Sequence, residues 1–120
     1  QQLNENAKLL CGHHVIPEMN HNELVGWASG SERVSVVIFR DKDEFKRNNT
    51  RIDINKTVIS KYTPNITEIW SKGKSQLEKS IYFIHLGDWI SVFLADKRGV
   101  DAVEVKVIDM LKGQLSQIKV

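Results

Sequence analysis

The sequence has very little cysteine: Cys11 is the only one in 120 residues. A framework of disulfides is therefore excluded, and we expect a reducing compartment, the cytoplasm. No apolar run approaches the roughly 18 residues that a membrane-spanning helix needs, and no basic-then-apolar leader opens the sequence. We therefore expect no membrane partner.

The sequence also lacks an excess of charge of one sign. Its 17 basic and 15 acidic side chains leave a net charge of +2, which is too small to argue for a nucleic-acid partner. The common Gly-rich phosphate loops are missing as well. What remains is ordinary: 41% hydrophobic and 27% charged residues are typical of one globular domain with one core.

Two segments have the pattern of strands. The β-branched run from Val34 to Phe39 has no polar face, which predicts a central parallel strand covered on both faces. Alternation over residues 66–71 predicts a second, shorter strand. Helical segments separate them and follow them, so we expect an α/β fold, a three-layer αβα sandwich with a parallel sheet. The helical segments are residues 4–11, a short helix capped by Asn20 or Asn22, and residues 44–62, 75–95 and 103–118.

The last two helical segments are rich in apolar residues, which predicts buried faces. Within the first of them, His85 is expected to be a core histidine rather than a catalytic one. The apolar residues expected to point inward are Leu77, Ile81, Ile84, Trp89, Val92 and Phe93, followed by Val107, Ile108, Met110, Leu111 and Leu115.

Residues 4–27 hold a dense set of polar side chains: Glu5, His13, His14, Glu18, His21 and Glu23. Polar groups this concentrated are costly to order unless they have a function. Histidine and glutamate are zinc ligands, so four of them, His13, His14, Glu18 and His21, could form a metal site. Pro17 interrupts their spacing, however, and no His-Glu-x-x-His helix exists here.

Three short motifs carry a resemblance to a known family. They are Asn4-Glu5-Asn6-Ala7-Lys8, Pro17-Glu18-Met19-Asn20-His21-Asn22-Glu23 with Gly26-Trp27, and a tail from Gly87-Asp88-Trp89 through Val100-Asp101 to Leu111-Lys112. Together they resemble the C-terminal sugar-isomerase (SIS) domain of bifunctional phosphoglucose/phosphomannose isomerases. The resemblance spans nearly the whole sequence and implies an SIS-type, flavodoxin-like fold.

The resemblance also implies a role for individual residues. Glu5 matches the carboxylate that moves a proton between C1 and C2 of the open sugar through an enediol. His21 matches the histidine that opens the pyranose ring and that the family contributes across a dimer interface, which implies a homodimer with a shared site. Lys112 matches a lysine near the substrate, with Lys119 as the competing choice. The enediol mechanism requires no metal or redox cofactor.

The family holds the phosphate mainly with Ser/Thr-rich loops of a preceding sugar-isomerase domain. The sequence starts with Gln1 on a helix-like stretch, so we expect residues 1–120 to be a C-terminal SIS domain without its first strand and without that preceding domain. The activity implied is conversion of glucose 6-phosphate or mannose 6-phosphate to fructose 6-phosphate, and we expect the 120 residues alone to be inactive. The alternative is an SIS domain that binds sugar phosphates, or serves a structural role, without catalysis.

Overall fold

The computed structural model describes residues 1–118, so Lys119 lies outside the described residues. The protein divides into two compact units: unit 1 comprises Gln1–Cys11 and Ile84–Val120, and unit 2 comprises Gly12–Phe83. Among residues 1–118, no helix is both long enough and apolar enough to cross a bilayer. The α-helices are α1 (Gln2–Glu5), α2 (Glu23–Gly26), α3 (Lys46–Ile59), α4 (Gln76–Arg98) and α5 (Lys106–Leu115), and the strands are β1 (Val36–Arg40) and β2 (Ile66–Trp70).

The centre of unit 2 is a β1–α3–β2 crossover. The two strands pair in parallel, with Val36 opposite Ile66 and Arg40 opposite Trp70. Parallel neighbours need a connection of a dozen or more residues, and α3 supplies it. The predicted strands and the helix between them are confirmed, and the fold is α/β with a small parallel sheet.

The prediction that β1 lies at the centre of the sheet with both faces covered is wrong for residues 1–118. The sheet there has two strands, so each is an edge strand. Arg40 contacts α3 and is buried, whereas Val37 and Phe39 alternate to the other face and stay 53% and 55% exposed. A helix covers one face of β1, and on the other Phe83 covers only part, with its ring 4.7 Å from that of Phe39.

Helix α4 begins with a reciprocal cap. Glu78 Oε2 accepts hydrogen bonds from the backbone N–H groups of Lys74 and Ser75, at 2.6 and 2.8 Å, and the Glu78 N–H donates to Ser75 Oγ. This capping box satisfies N–H groups that no helical carbonyl can reach. Gly73 precedes it with φ +127°, and a Cβ there would lie 2.7 Å from Glu78 Cβ. Glycine is therefore required at this turn.

The inward faces predicted for α4 and α5 are wrong for the described chain. His85, expected in a core, is exposed and accepts a hydrogen bond from Trp89 Nε1 at 3.1 Å. Apolar periodicity identifies which face of a helix prefers burial, but burial also needs another element to cover that face. The apolar residues that were expected to point inward are all exposed: Leu77, Ile81, Ile84, Trp89, Val92 and Phe93 of α4, and Val107, Ile108, Met110, Leu111 and Leu115 of α5.

An ionic cluster around the buried side chain of Arg40 joins β1, α3 and β2. Arg40 Nη1 donates to Glu68 Oε1 at 2.5 Å and to Asp53 Oδ1 at 3.0 Å. Lys56 Nζ donates to the other oxygen of Glu68 at 2.5 Å, and the Arg40 guanidinium lies 4.9 Å from the centre of the Trp70 ring. A buried arginine is tolerated only when it is paired in this way.

This cluster predicts a loss of stability in acid. The hydrogen bond from Lys56, followed by that from Arg40, holds the pKa of Glu68 below its ordinary value. A carboxylate whose pKa is lower in the folded than in the unfolded state stabilises the fold above its unfolded pKa. That stabilisation is lost as the pH falls through the folded pKa.

We therefore expect Glu68→Gln to lower the free energy of unfolding at pH 7 by about 2 kcal/mol. Urea unfolding at pH 7 and at acidic pH measures both effects, and the loss of stability between these pH values should be smaller in Glu68→Gln than in the unmodified protein. Glu32→Gln, at an exposed position, serves as the matched control. An unchanged pH dependence in Glu68→Gln would contradict the assignment.

Candidate active site

The segment around Glu5 is a single helical turn rather than the predicted helix over residues 4–11. Helix α1 ends at Glu5, and Lys8 has φ +51°, a left-handed conformation that stops a helix. Asn4 lies inside α1. Its side chain bonds both backbone groups of Cys11, donating to the carbonyl at 2.9 Å and accepting from the N–H at 3.0 Å. These bonds fold the segment back on itself.

The carboxylate of Glu5 is on the surface of unit 1, while the residues that follow it are anchored. Glu5 is exposed and Ala7 is fully buried. Asn6 Nδ2 donates at 2.8 Å to the hydroxyl of Ser91 on α4, and that buried hydroxyl donates to the carbonyl of Asp88. Glu5 is thus an accessible carboxylate at the end of a firmly attached turn.

His21 follows a 3₁₀ turn in unit 2. The turn covers Glu18–Asn20, and the His21 N–H donates to the carbonyl of Glu18 at 3.0 Å. Asn22 then caps α2 through a 2.6 Å bond from the Glu23 N–H to its side-chain oxygen. This confirms one of the two predicted caps. The imidazole of His21 is exposed.

A buried asparagine on α3 supports this turn, and sequence reasoning missed it. Asn55 is 2% exposed; its side-chain oxygen accepts from Asn20 Nδ2 at 2.6 Å, and its amide contacts Met19 Sδ at 3.6 Å. A buried amide is costly unless bonded, so these contacts fix the residues directly before His21. The available signal was a polar residue between Ile52 and Ile59, the two buried isoleucines of the same helix.

The described residues give no support to the zinc interpretation. Among residues 1–118, no three side chains of ligand type converge as a metal site requires. His14, one of the four ligands considered, lies instead with its Nδ1 2.6 Å from Glu23 Oε2. This pair links the segment before Pro17 to the first residue of α2.

Lys112, the third predicted site residue, is exposed in the last turn of α5 and belongs to unit 1 with Glu5. Lys8 links their two segments: its Nζ donates at 2.6 Å to the carbonyl of Glu5 and at 2.6 Å to that of Glu104, which precedes α5. His21 belongs to unit 2. Lys119 lies outside the described residues.

A cavity of about 370 Å³ lies where β1 ends, and none of the three predicted residues lines it. Lys79 of α4 is buried there and donates to Asp41 Oδ1 at 2.9 Å and to Asp43 Oδ2. The hydrogen bonds that Lys79 donates to Asp43 and Asp41 raise the pKa of Lys79, and the bond from Lys79 lowers the pKa of Asp41. Two carboxylates already neutralise this ammonium, so the cavity is poorly suited to a phosphate.

The motifs around the exposed side chains of Glu5 and His21 lie within a match to known proteins. Residues 1–115 match the family model described as "Bacterial phospho-glucose isomerase C-terminal SIS domain". The chain belongs to this family. The resemblance seen in the sequence motifs is thereby confirmed, and the parallel β1–α3–β2 crossover agrees with an α/β domain of the SIS type.

Curated relatives of this SIS domain are bifunctional phosphoglucose/phosphomannose isomerases. That of Aquifex aeolicus is 38% identical over 119 residues, covering 97% of this chain and 37% of the relative. That of Caldicellulosiruptor bescii is 37% identical over 121 residues, covering 98% and 36%. That of Thermoplasma volcanium is 35% identical over 118 residues, covering 96% and 37%. The chain therefore spans little more than a third of the length of these relatives.

Proposed function

We propose that this SIS domain is the C-terminal part of a phosphosugar isomerase that converts glucose 6-phosphate and mannose 6-phosphate to fructose 6-phosphate. The observation that supports it most is the family match over residues 1–115, together with relatives named for both activities. The intact protein would add a preceding SIS domain, which holds the phosphate, and the remaining strands of a three-layer sandwich. It would act in the cytoplasm as a homodimer with a shared site.

In the proposed reaction, Glu5 is the general base. Its carboxylate removes the proton from C2 of the open aldose, the electron pair forms the C1–C2 double bond of an enediol, and the proton returns to C1. A hydroxyl proton moves between O1 and O2, so the atoms balance. The exposed position of Glu5 at the end of α1 gives a substrate access to it.

His21 is proposed to open the ring. Ring opening requires a group that takes a proton from the C1 hydroxyl and supplies one to the ring oxygen, and histidine exchanges protons near neutral pH. Lys112 is proposed to stabilise negative charge that develops on the substrate oxygens. These steps need no metal or redox cofactor.

The intact protein tests the proposed function directly. We expect fructose 6-phosphate to form from both glucose 6-phosphate and mannose 6-phosphate, with deuterium from D₂O entering the product at C1. Binding of these sugar phosphates without turnover would favour the non-catalytic alternative. Turnover of only one of them would contradict the proposed dual specificity but would still support an isomerase activity.

The ring-opening step gives a separate prediction. Exchange NMR follows interconversion of the α and β anomers of glucose 6-phosphate, which requires ring opening but no transfer of the C2 proton. We expect His21→Ala to slow this interconversion by about 100-fold, and to slow turnover of the open-chain fraction much less.

His13→Ala, an exposed histidine of the same unit, is the control for this experiment and should behave like the unmodified protein. Normal anomer interconversion by His21→Ala would remove His21 from the mechanism.

A further inference from the structure

The side chain of Lys8 connects Glu5 to the segment before α5. Its ammonium lies 2.6 Å from the carbonyl oxygen of Glu5 and 2.6 Å from that of Glu104. The last carbonyl groups of a helix have no partner within it, and Lys8 supplies one for the last residue of α1. The side chain is half-buried, so water competes only partly for these bonds.

The backbone of Lys8 is in a conformation that lysine rarely adopts. Its φ of +51° is left-handed, a region in which glycine and asparagine are the usual residues after a helix. A lysine costs free energy there because its Cβ crowds the following carbonyl. The Lys8 ammonium nevertheless reaches back to the last residue of α1, and its two short hydrogen bonds offset part of that cost.

The second partner of Lys8 lies next to α5. Glu104 is two residues before the helix, and its Oε1 accepts a 2.6 Å bond from the Lys106 N–H, at the first residue of α5. Glu104 thus bonds α5 through its side chain and Lys8 through its carbonyl. A displacement of Lys8 would move the end of α1 relative to the start of the helix that contains Lys112.

We propose that Lys8 is a positioning residue that sets the location of the Glu5 carboxylate relative to α5, an inference that rests on the proposed function of Glu5. Proton transfer from carbon depends steeply on the distance between base and substrate, so a shift of about 1 Å is enough to slow it by 100-fold. Lys8 contacts the backbone of Glu5 and acts through it, without taking part in the chemistry.

The variant that tests this in the intact protein is Lys8→Met. Methionine has a similar length and the same backbone penalty at φ +51°, but no donor. We expect kcat to fall by about 10- to 100-fold with KM within about three-fold. We also expect the kinetic isotope effect with substrate deuterated at C2 to increase, because proton transfer becomes rate-limiting. Lys8→Arg, which keeps a charged donor, should recover most of kcat.

Hydrogen–deuterium exchange gives a second, independent readout. In Lys8→Met, exchange should increase at residues 104–108, and Lys97→Met, at an exposed position of α4, should change neither exchange nor kinetics. If Lys8→Met is unstable, Lys8→Gly is used in its place for both the kinetics and the hydrogen–deuterium exchange, because glycine removes the ammonium without backbone strain.

Faster exchange at residues 104–108 with unchanged kcat and isotope effect would overturn the positioning role, as would a lower kcat with an unchanged isotope effect. Near-normal turnover by Glu5→Gln, measured in parallel, would instead reject Glu5 as the base and with it the proposed mechanism. The exchange data would still report whether Lys8 connects the two segments.

Discussion

Glu5→Gln in the intact protein should lose kcat by about 1,000-fold or more, while KM changes by less than about three-fold. The amide keeps the size of the side chain and its exposed place at the end of α1, but it cannot accept the C2 proton. Steady-state assays with glucose 6-phosphate and mannose 6-phosphate measure both constants. Incorporation of deuterium from D₂O into the product should stop together with turnover.

Glu32→Gln is the matched control for this substitution, because the same chemical change is made at another exposed glutamate. Its kcat should equal that of the unmodified protein. Anomer interconversion should also persist in Glu5→Gln, because we propose that His21, and not Glu5, opens the ring. Retention of turnover by Glu5→Gln would mean that another group is the base.

The 120 residues purified alone should convert no measurable glucose 6-phosphate, which is the second large effect that we expect. The sequence has no Gly-rich phosphate loop, and the cavity at the end of β1 has its lysine neutralised by Asp41 and Asp43. Without phosphate binding, the substrate is not oriented over Glu5, and orientation can account for about 7–11 kcal/mol of a reaction barrier.

Circular dichroism should accompany this assay, because α3, α4 and α5 predict a strongly helical spectrum for the folded chain. The intact protein at the same molar concentration provides the reference rate. If the 120 residues alone showed turnover that resists chelators, they would contain a phosphate site. This result would contradict the proposal that a preceding SIS domain holds the phosphate.

The sequence was sufficient to locate the elements of the crossover. The β-branched run before Arg40 and the alternation after Asn65 have the period of strands, and Asn22 is a residue type that caps helices. The family motifs identified Glu5 and His21 as candidates. Those signals depend on residues that are close together in the sequence, so they can be recognised without a structure.

The buried polar residues could not be predicted in the same way. Arg40, Asn55 and Lys79 are almost fully enclosed, yet in sequence each resembles a solvated residue. Their burial depends on partners far along the chain, such as Glu68 for Arg40 and Asn20 for Asn55. The prediction that the apolar faces of α4 and α5 are buried was wrong for a related reason: periodicity shows which face is apolar but does not show which element covers it.

The β1–α3–β2 crossover has a consequence for how unit 2 folds. Val36 pairs with Ile66, so the sheet cannot form until the two ends of the intervening segment meet. Closing this long loop costs conformational entropy before the strand hydrogen bonds can stabilise the sheet. Helix α3 would shorten that loop, but its 14 residues include Asn48, Asn49 and several β-branched residues, and such a helix is marginal alone in water. We therefore expect the helix and the strands to form together, in one cooperative step whose rate depends on closure of the loop.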